Sequence, residues 1–268
     1  MPAARDLAAR RPLNGKLPQP SGPRSPRPGP EAGGRLHGRA SGLTLFIDAD
    51  DTLWENNIHF EAVIRDYCSL LEASGVDGAT ARATLLGIER VRTKTHGYGV
   101  ANFNQSLREA CRRLAGDDAA AAIIPHIDAR CDALRRHDME VIDGVEPTLE
   151  ALARRHRLVL FTKGDEADQR DKVARSGLAG WFHAVDVVKE KHPEAYREAL
   201  IRHGVTGRAS WMIGNSPRSD VMPALAAGLG VVFVPHPATW VLELDALPDA
   251  THPRLLVLER FAQLTDWF

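Results

Sequence analysis

Five short apolar stretches, at residues 43–48, 158–162, 184–188, 211–214 and 231–235, are continuous in their hydrophobicity rather than alternating. This constrains the fold more than any other feature of the chain. A strand with one wet face alternates, whereas a strand covered on both faces does not, so these stretches read as buried parallel strands. Between the later ones lie helical stretches at 169–176, 193–203 and 220–227, each closed by a glycine (Gly177, Gly204, Gly228) that stops a helix. Strand then helix, repeated with short connections, predicts an α/β fold with a parallel sheet and right-handed crossovers.

One connection breaks this rhythm. About ninety residues separate the first stretch from the Asp143-Gly144 turn, too many for a loop without structure of its own. Residues 58–74, 79–92, 105–114 and 119–136 carry apolar side chains at helical spacing, punctuated by Gly75, Gly87, Gly97, Gly99 and Gly116. A small all-helical module is therefore expected between the first strand and the second. The body divides into an α/β core of residues 42–54 and 143–268 and a helical insertion of residues 55–142.

Composition excludes several classes. With 44% hydrophobic and 26% charged residues the balance is that of a globular chain, neither collagen-like nor disordered throughout. No apolar run reaches the roughly 18 residues of a membrane span, so no membrane partner is expected. Cys68, Cys111 and Cys131 are odd in number and make no close pair, and none of the 11 histidines shows zinc spacing. A reduced, cytoplasmic setting is the natural expectation. Residues 1–41 hold eight of the 17 prolines and eight Lys or Arg against two acids, so they read as a disordered basic tail, and the acidic remainder speaks against nucleic acid as a partner.

In open α/β sheets ligands bind beyond the carboxyl ends of the strands, and four stretches end in polar chemistry. The first ends Asp48-Ala49-Asp50-Asp51-Thr52-Leu53, the second Thr162-Lys163-Gly164, the third leads through Glu190 to Lys191-His192-Pro193, and the fourth runs Gly214-Asn215-Ser216-Pro217-Arg218-Ser219-Asp220. Each alone has an ordinary reading: an Asx turn, a helix cap, a solvated lysine, an N-cap. A calcium loop fits badly, because Leu53 stands where its glycine belongs and the closing glutamate is absent.

In this order on one α/β chain, the four motifs resemble those of the haloacid dehalogenase-like superfamily, most of whose members are phosphatases with an aspartate nucleophile. Asp48, Asp50 and Thr52 match the first motif, Thr162 the second, Lys191 (with Lys189 as second choice) the third, and Asp220 with Asn215 the fourth. The resemblance runs from about residue 43 to the C-terminus. It implies a Rossmann-like parallel sheet flanked by helices, with the helical insertion acting as a cap. It also implies Mg²⁺-dependent hydrolysis of a small phosphorylated metabolite.

By the same resemblance Asp48 attacks phosphorus to form an aspartyl-phosphate, and Asp50 serves as general acid and then general base. Thr162 and Lys191 hold the phosphoryl oxygens, and Mg²⁺ is held by Asp48, the Asp50 carbonyl, Asp220 and Asn215. Two departures stand out. Asn215 replaces an acid, which removes a negative charge from the metal site and leaves a non-catalytic phosphate-binding or regulatory protein as one alternative. Lys163 follows Thr162 where asparagine is common, and reads equally as a charge near the phosphate or as a solvated loop lysine. Asp50 favours phosphoryl transfer over 2-haloacid hydrolysis, whose halide needs no proton. A phosphonate hydrolase would need a cap lysine, and the insertion offers Lys94 alone. His96 and Tyr98, in the polar glycine-flanked stretch 94–99, are candidates for leaving-group contacts, with an interhelical turn as the equal alternative. Trp54 and Glu55 are expected where the insertion hinges onto the core, Trp54 by packing.

Overall fold

The computed structural model describes residues 42–249 and 251–268, so the expectations for residues 1–41 lie outside the described residues. Six strands form one sheet: β1 (Thr44–Ile47), β2 (Arg157–Lys163), β3 (Ala184–Val188), β4 (Ser210–Gly214), β5 (Gly230–Phe233) and β6 (Leu255–Val257). Their order is β3-β2-β1-β4-β5-β6, and every pairing is parallel. The first five are the strands expected from the apolar stretches; β6, three residues at the sheet edge, is an addition.

Successive residues of β1, β2, β4 and β5 feed opposite layers, and both layers are dry, while the edge strands β3 and β6 are largely half-buried. Leu45, Ile47, Leu158, Leu160, Ile213 and Val232 face one side, packing with Leu149, Leu152 and Val173 of α4 (Val145–Ala153) and α5 (Glu166–Arg175). Phe46, Val159, Phe161, Met212 and Val231 face the other, against Tyr196 and Ala199 of α6 (Pro193–His203) and Ala224 of α7 (Met222–Ala226). Burial on both faces is the physical reason that the strand sequences do not alternate. The architecture is a Rossmann-like parallel sheet flanked by helices.

Local chemistry sets the helix ends. Asp165 accepts from the Asp168 amide at 3.0 Å to cap α5, while Pro193 opens α6 and Gly204 closes it in the left-handed region. The stretch expected as one helix over 220–227 is instead a wide π-type turn, Pro217–Val221, running into the short α7.

The insertion consists of α1 (Asn57–Glu72), α2 (Gly78–His96) and α3 (Val100–Arg136). α3 is broken at Gly116 (φ 77°, ψ 169°), so the two helices expected there are its arms. These helices enclose an apolar core of their own, including Tyr67, Leu71, Leu85, Leu107, Cys111 and Cys131. All three cysteines are free. The two connections to the sheet run side by side: the Glu55 amide donates to the Glu140 carbonyl at 2.9 Å and the Ile142 amide to Leu53 at 3.0 Å. Among the described residues no helix is long and apolar enough to cross a membrane.

Candidate active site

β1 lies between β2 and β4, so the direction of sheet growth reverses there and leaves a crevice at the carboxyl ends of the strands. Asp48 follows β1 into this crevice. Its turn is closed by the Thr52 and Leu53 amides, which donate to the Ala49 carbonyl. Asp51 takes the left-handed conformation the turn needs (φ 58°), and its carboxylate accepts the Asn56 and Asn57 amides at 2.9 Å each, at the start of α1.

One cavity brings the four motifs together. It encloses about 1030 Å³ with its open mouth and is lined by Asp48, Asp50, Thr162, Lys191, Asn215 and Asp220. The Lys191 ammonium, its side chain 1% exposed, donates to Asp48 and to Asp220 at 2.7 Å. Lys189, the second choice for the third motif, is exposed and outside the cavity lining, whereas Lys191 lines the cavity. The Thr52 hydroxyl lies 3.3 Å from both Asp48 Oδ2 and Asn215 Oδ1. Burial pushes Asp48 up to about 7, reinforced by the Asp220 charge and opposed by Lys191.

Asp220 owes its position to a glycine. A Cβ on Gly214 would lie 2.2 Å from Asp220 Oδ2, so only glycine lets this carboxylate lie against β4. The Ser216 amide donates to the same carboxylate at 2.9 Å, and Tyr196 donates to the Ser219 carbonyl at 2.8 Å, bracing the turn.

Asp50 is held by residues that the motif reading does not contain. Lys172 donates to both of its oxygens at 2.9 Å, Trp54 Nε1 to one at 2.8 Å and Gln169 to the other at 3.1 Å. Burial alone would raise the Asp50 pKa, but Lys172, Trp54 and Gln169 together lower it below the ordinary value. Gln169 also accepts from the Thr162 hydroxyl at 3.2 Å, linking two motifs. Trp54 is fully buried in the core as well, so it packs and positions at once. Gln169 and Lys172 lie a helical turn apart on α5, three and six residues beyond Glu166; their spacing is visible in the sequence, but not that this face meets Asp50.

The two Lys163 readings resolve against solvation. Lys163 donates to Glu243 at 2.6 Å, Ser219 at 2.8 Å, Tyr98 at 3.1 Å and Glu190 at 3.3 Å, with its ammonium 4.2 Å from the centre of the Tyr98 ring. Burial opposes its charge, yet Glu243, Tyr98 and Glu190 raise its pKa on balance. Tyr98 donates to Glu190 at 2.6 Å and lines the cavity. His96, by contrast, ends α2 exposed and outside the cavity lining, and Lys94 is exposed as well: a glycine-flanked helix end turns one residue in and its neighbours out. Glu243, in the segment after β5, gave no sequence signal.

The donor set suits a hard divalent cation. Six carboxylates (Asp48, Asp50, Asp51, Glu89, Asp220, Glu243) line the cavity against three lysines (Lys163, Lys172, Lys191), and a phosphate would add further negative charge. Asp48, Asp220 and Asn215 supply oxygen ligands alone, the preference of Mg²⁺. A second grouping, Asp51, Glu55 and His236, brings one ligand atom of each within 4.8 Å of the others; His236 and Glu55 pair at 3.2 Å.

The profile for haloacid dehalogenase-like hydrolases matches residues 43–228. A glyceraldehyde 3-phosphate phosphatase of Pyrococcus furiosus is 26% identical over 230 residues, 81% of this chain and 92% of its own. A phosphoserine phosphatase of Thermus thermophilus is 34% identical over 90 residues, 32% of this chain and 36% of its own. A solved haloacid dehalogenase-like family hydrolase from Xanthomonas campestris superposes with a TM-score of 0.74 at 30% identity, covering 85% of this chain and 94% of that one.

Proposed function

Because the chain belongs to the haloacid dehalogenase-like hydrolases, we propose that this phosphatase cleaves a small phosphomonoester with Asp48 as nucleophile and Mg²⁺ as cofactor. The observation that carries the reading is the meeting of Asp48 and Asp220 on the Lys191 ammonium, in one cavity with Thr162. Phosphatases among its relatives support it.

Asp48, Asp220 and Asn215 would hold the Mg²⁺, which when bound supplies charge neutralisation to the phosphoryl oxygens. Asp48 attacks phosphorus and becomes the aspartyl-phosphate. Lys191 and the Thr162 hydroxyl receive the phosphoryl oxygens, where positioned donors do most of the work of phosphoryl transfer. Asp50 carries the proton traffic: the proton it takes from the water that hydrolyses one intermediate is the one it gives to the leaving oxygen of the next ester. The ionised form that Lys172 maintains is the one that accepts the water's proton. Residues 55–142 act as the cap that covers the cavity and excludes water, tied to the core by Tyr98, Lys163 and Glu190.

Phosphate release from an aryl phosphate and a panel of phosphorylated metabolites, with and without Mg²⁺, tests this. Release that requires Mg²⁺ and falls by at least about four orders of magnitude in Asp48→Asn is expected. Undiminished release by that variant would refute Asp48 as nucleophile.

A further inference from the structure

Glu89 lies on α2, far in sequence from every motif, yet it lines the same cavity as Asp48. It is 7% exposed, and its carboxylate has no hydrogen-bond or ion-pair partner among the described residues. It follows Ile88 and stands one turn beyond Leu85, both buried, so it interrupts an apolar face. A carboxylate on a side chain this buried, with its oxygens open to the cavity and no protein partner, is best completed by a ligand that brings it a cation. The nearby cation, Arg82, is spent on Glu61, which it meets with two bonds at 2.8 and 3.2 Å.

Several donors of this wall are already engaged. Thr93 donates to the Glu89 carbonyl at 2.8 Å, Ser106 to Asn102 at 3.0 Å, the Asn102 amide to Gly97 at 2.7 Å, and the Asn57 amide to Ala238 at 2.7 Å. The three lysines that line the cavity are each paired with carboxylates. The cavity lining also includes the apolar side chains Phe60, Ile64 and Phe103.

We propose that the substrate's leaving group carries an ammonium on a short carbon stem, received by the Glu89 carboxylate; the inference rests on the phosphatase reading, which places the phosphoryl end at Asp48. A leaving group with a carboxylate or second phosphate would meet no uncommitted cation among the described residues. A neutral polyol would supply donors but no positive charge to hold the carboxyl ionised. An ammonium supplies both, and Phe60, Ile64 and Phe103 accept its stem. Burial, together with the Glu61 charge, pushes the Glu89 carboxyl up to about 7, consistent with a group that lacks its cation.

The test compares matched esters: ω-aminoalkyl phosphates of two to six carbons and glucosamine 6-phosphate, each against its hydroxyl counterpart. In the wild type, kcat/KM is expected to favour the ammonium member of at least one pair tenfold or more. In Glu89→Gln the same ratio is expected to fall below twofold, and in Glu89→Leu likewise. Because each ratio is taken within one enzyme preparation, the folded fraction cancels. Calorimetric binding of the same pairs to Asp48→Asn reads the ratio without turnover. If no ester is hydrolysed, the aryl phosphate included, the phosphatase reading fails and the binding ratio still decides the inference. A ratio near one for every pair, or a preference that survives in Glu89→Gln, overturns it.

Discussion

Removing the Glu89 charge should stabilise the protein, and by an amount that depends on pH. In the folded state the carboxyl is pushed from 4.5 up to about 7 by burial and by Glu61, against Arg82. A folded pKa above the unfolded one means that the native state binds the extra proton, so stability is lost as pH rises between the two values. At about 1.4 kcal/mol per unit, the shift corresponds to a penalty of about 3 kcal/mol, complete above pH 8 and absent near pH 4.5. Glu89→Gln keeps the shape and removes the titration. Its stability relative to wild type should therefore grow from near zero at pH 4.5 to about 3 kcal/mol at pH 8, or about 6 to 12 °C in Tm. Urea denaturation of both proteins at the two pH values measures the difference, with all other titrations cancelling. A gain that is the same at both pH values, or a destabilisation at pH 8, would refute the claim that this carboxylate is buried without a partner.

Other perturbations reach the remaining parts of the site. Asn215→Asp restores a charge to the oxygen donor set and should lower the Mg²⁺ concentration for half-maximal activity by about tenfold, since ligand charge tunes such affinity; a titration showing no change would separate Asn215 from the metal. In Lys172→Met, burial of Asp50 is opposed only by the Trp54 and Gln169 hydrogen bonds, so its pKa rises and the acid limb of the kcat–pH profile should move to higher pH. An unmoved limb would mean that Asp50 does not carry the proton. Lys163→Met leaves the Glu243 charge without its cation, held only by the Ser216 and Ser219 hydroxyls, in a site where the two side chains are 13% and 12% exposed, and should cost about 3 kcal/mol by chemical denaturation. Adding Glu243→Gln should recover most of it; a double variant no more stable than the single would show that the pair is not the source.

The sheet was legible because its strands are buried on both sides. Leu158 and Leu160 feed one layer and Val159 and Phe161 the other, so the stretch is apolar throughout and reads directly. The helical insertion was legible for a similar local reason, since periodicity and glycines belong to each helix separately. The π-type turn over 217–221 was not, because Asp220 is placed by contact with Gly214 and by Tyr196 on another helix, and such contacts leave no periodic trace.

The same division runs through the site. Asp48, Thr162, Lys191 and Asp220 are marked by their place at strand ends, because the carboxyl edge of a parallel sheet is set by chain order alone. Which side of a helix end faces inward, Tyr98 rather than His96, was settled by the partners Glu190 and Lys163. The grip of Lys172 on Asp50, the Lys163–Glu243 pair and the unpartnered Glu89 join residues far apart in the chain. Sequence by itself determines what each segment can become, through backbone propensity and the burial pattern of its own side chains. Tertiary structure alone decides which charges meet and which are left waiting, because the Coulomb and desolvation energies depend on distances that only the folded chain sets.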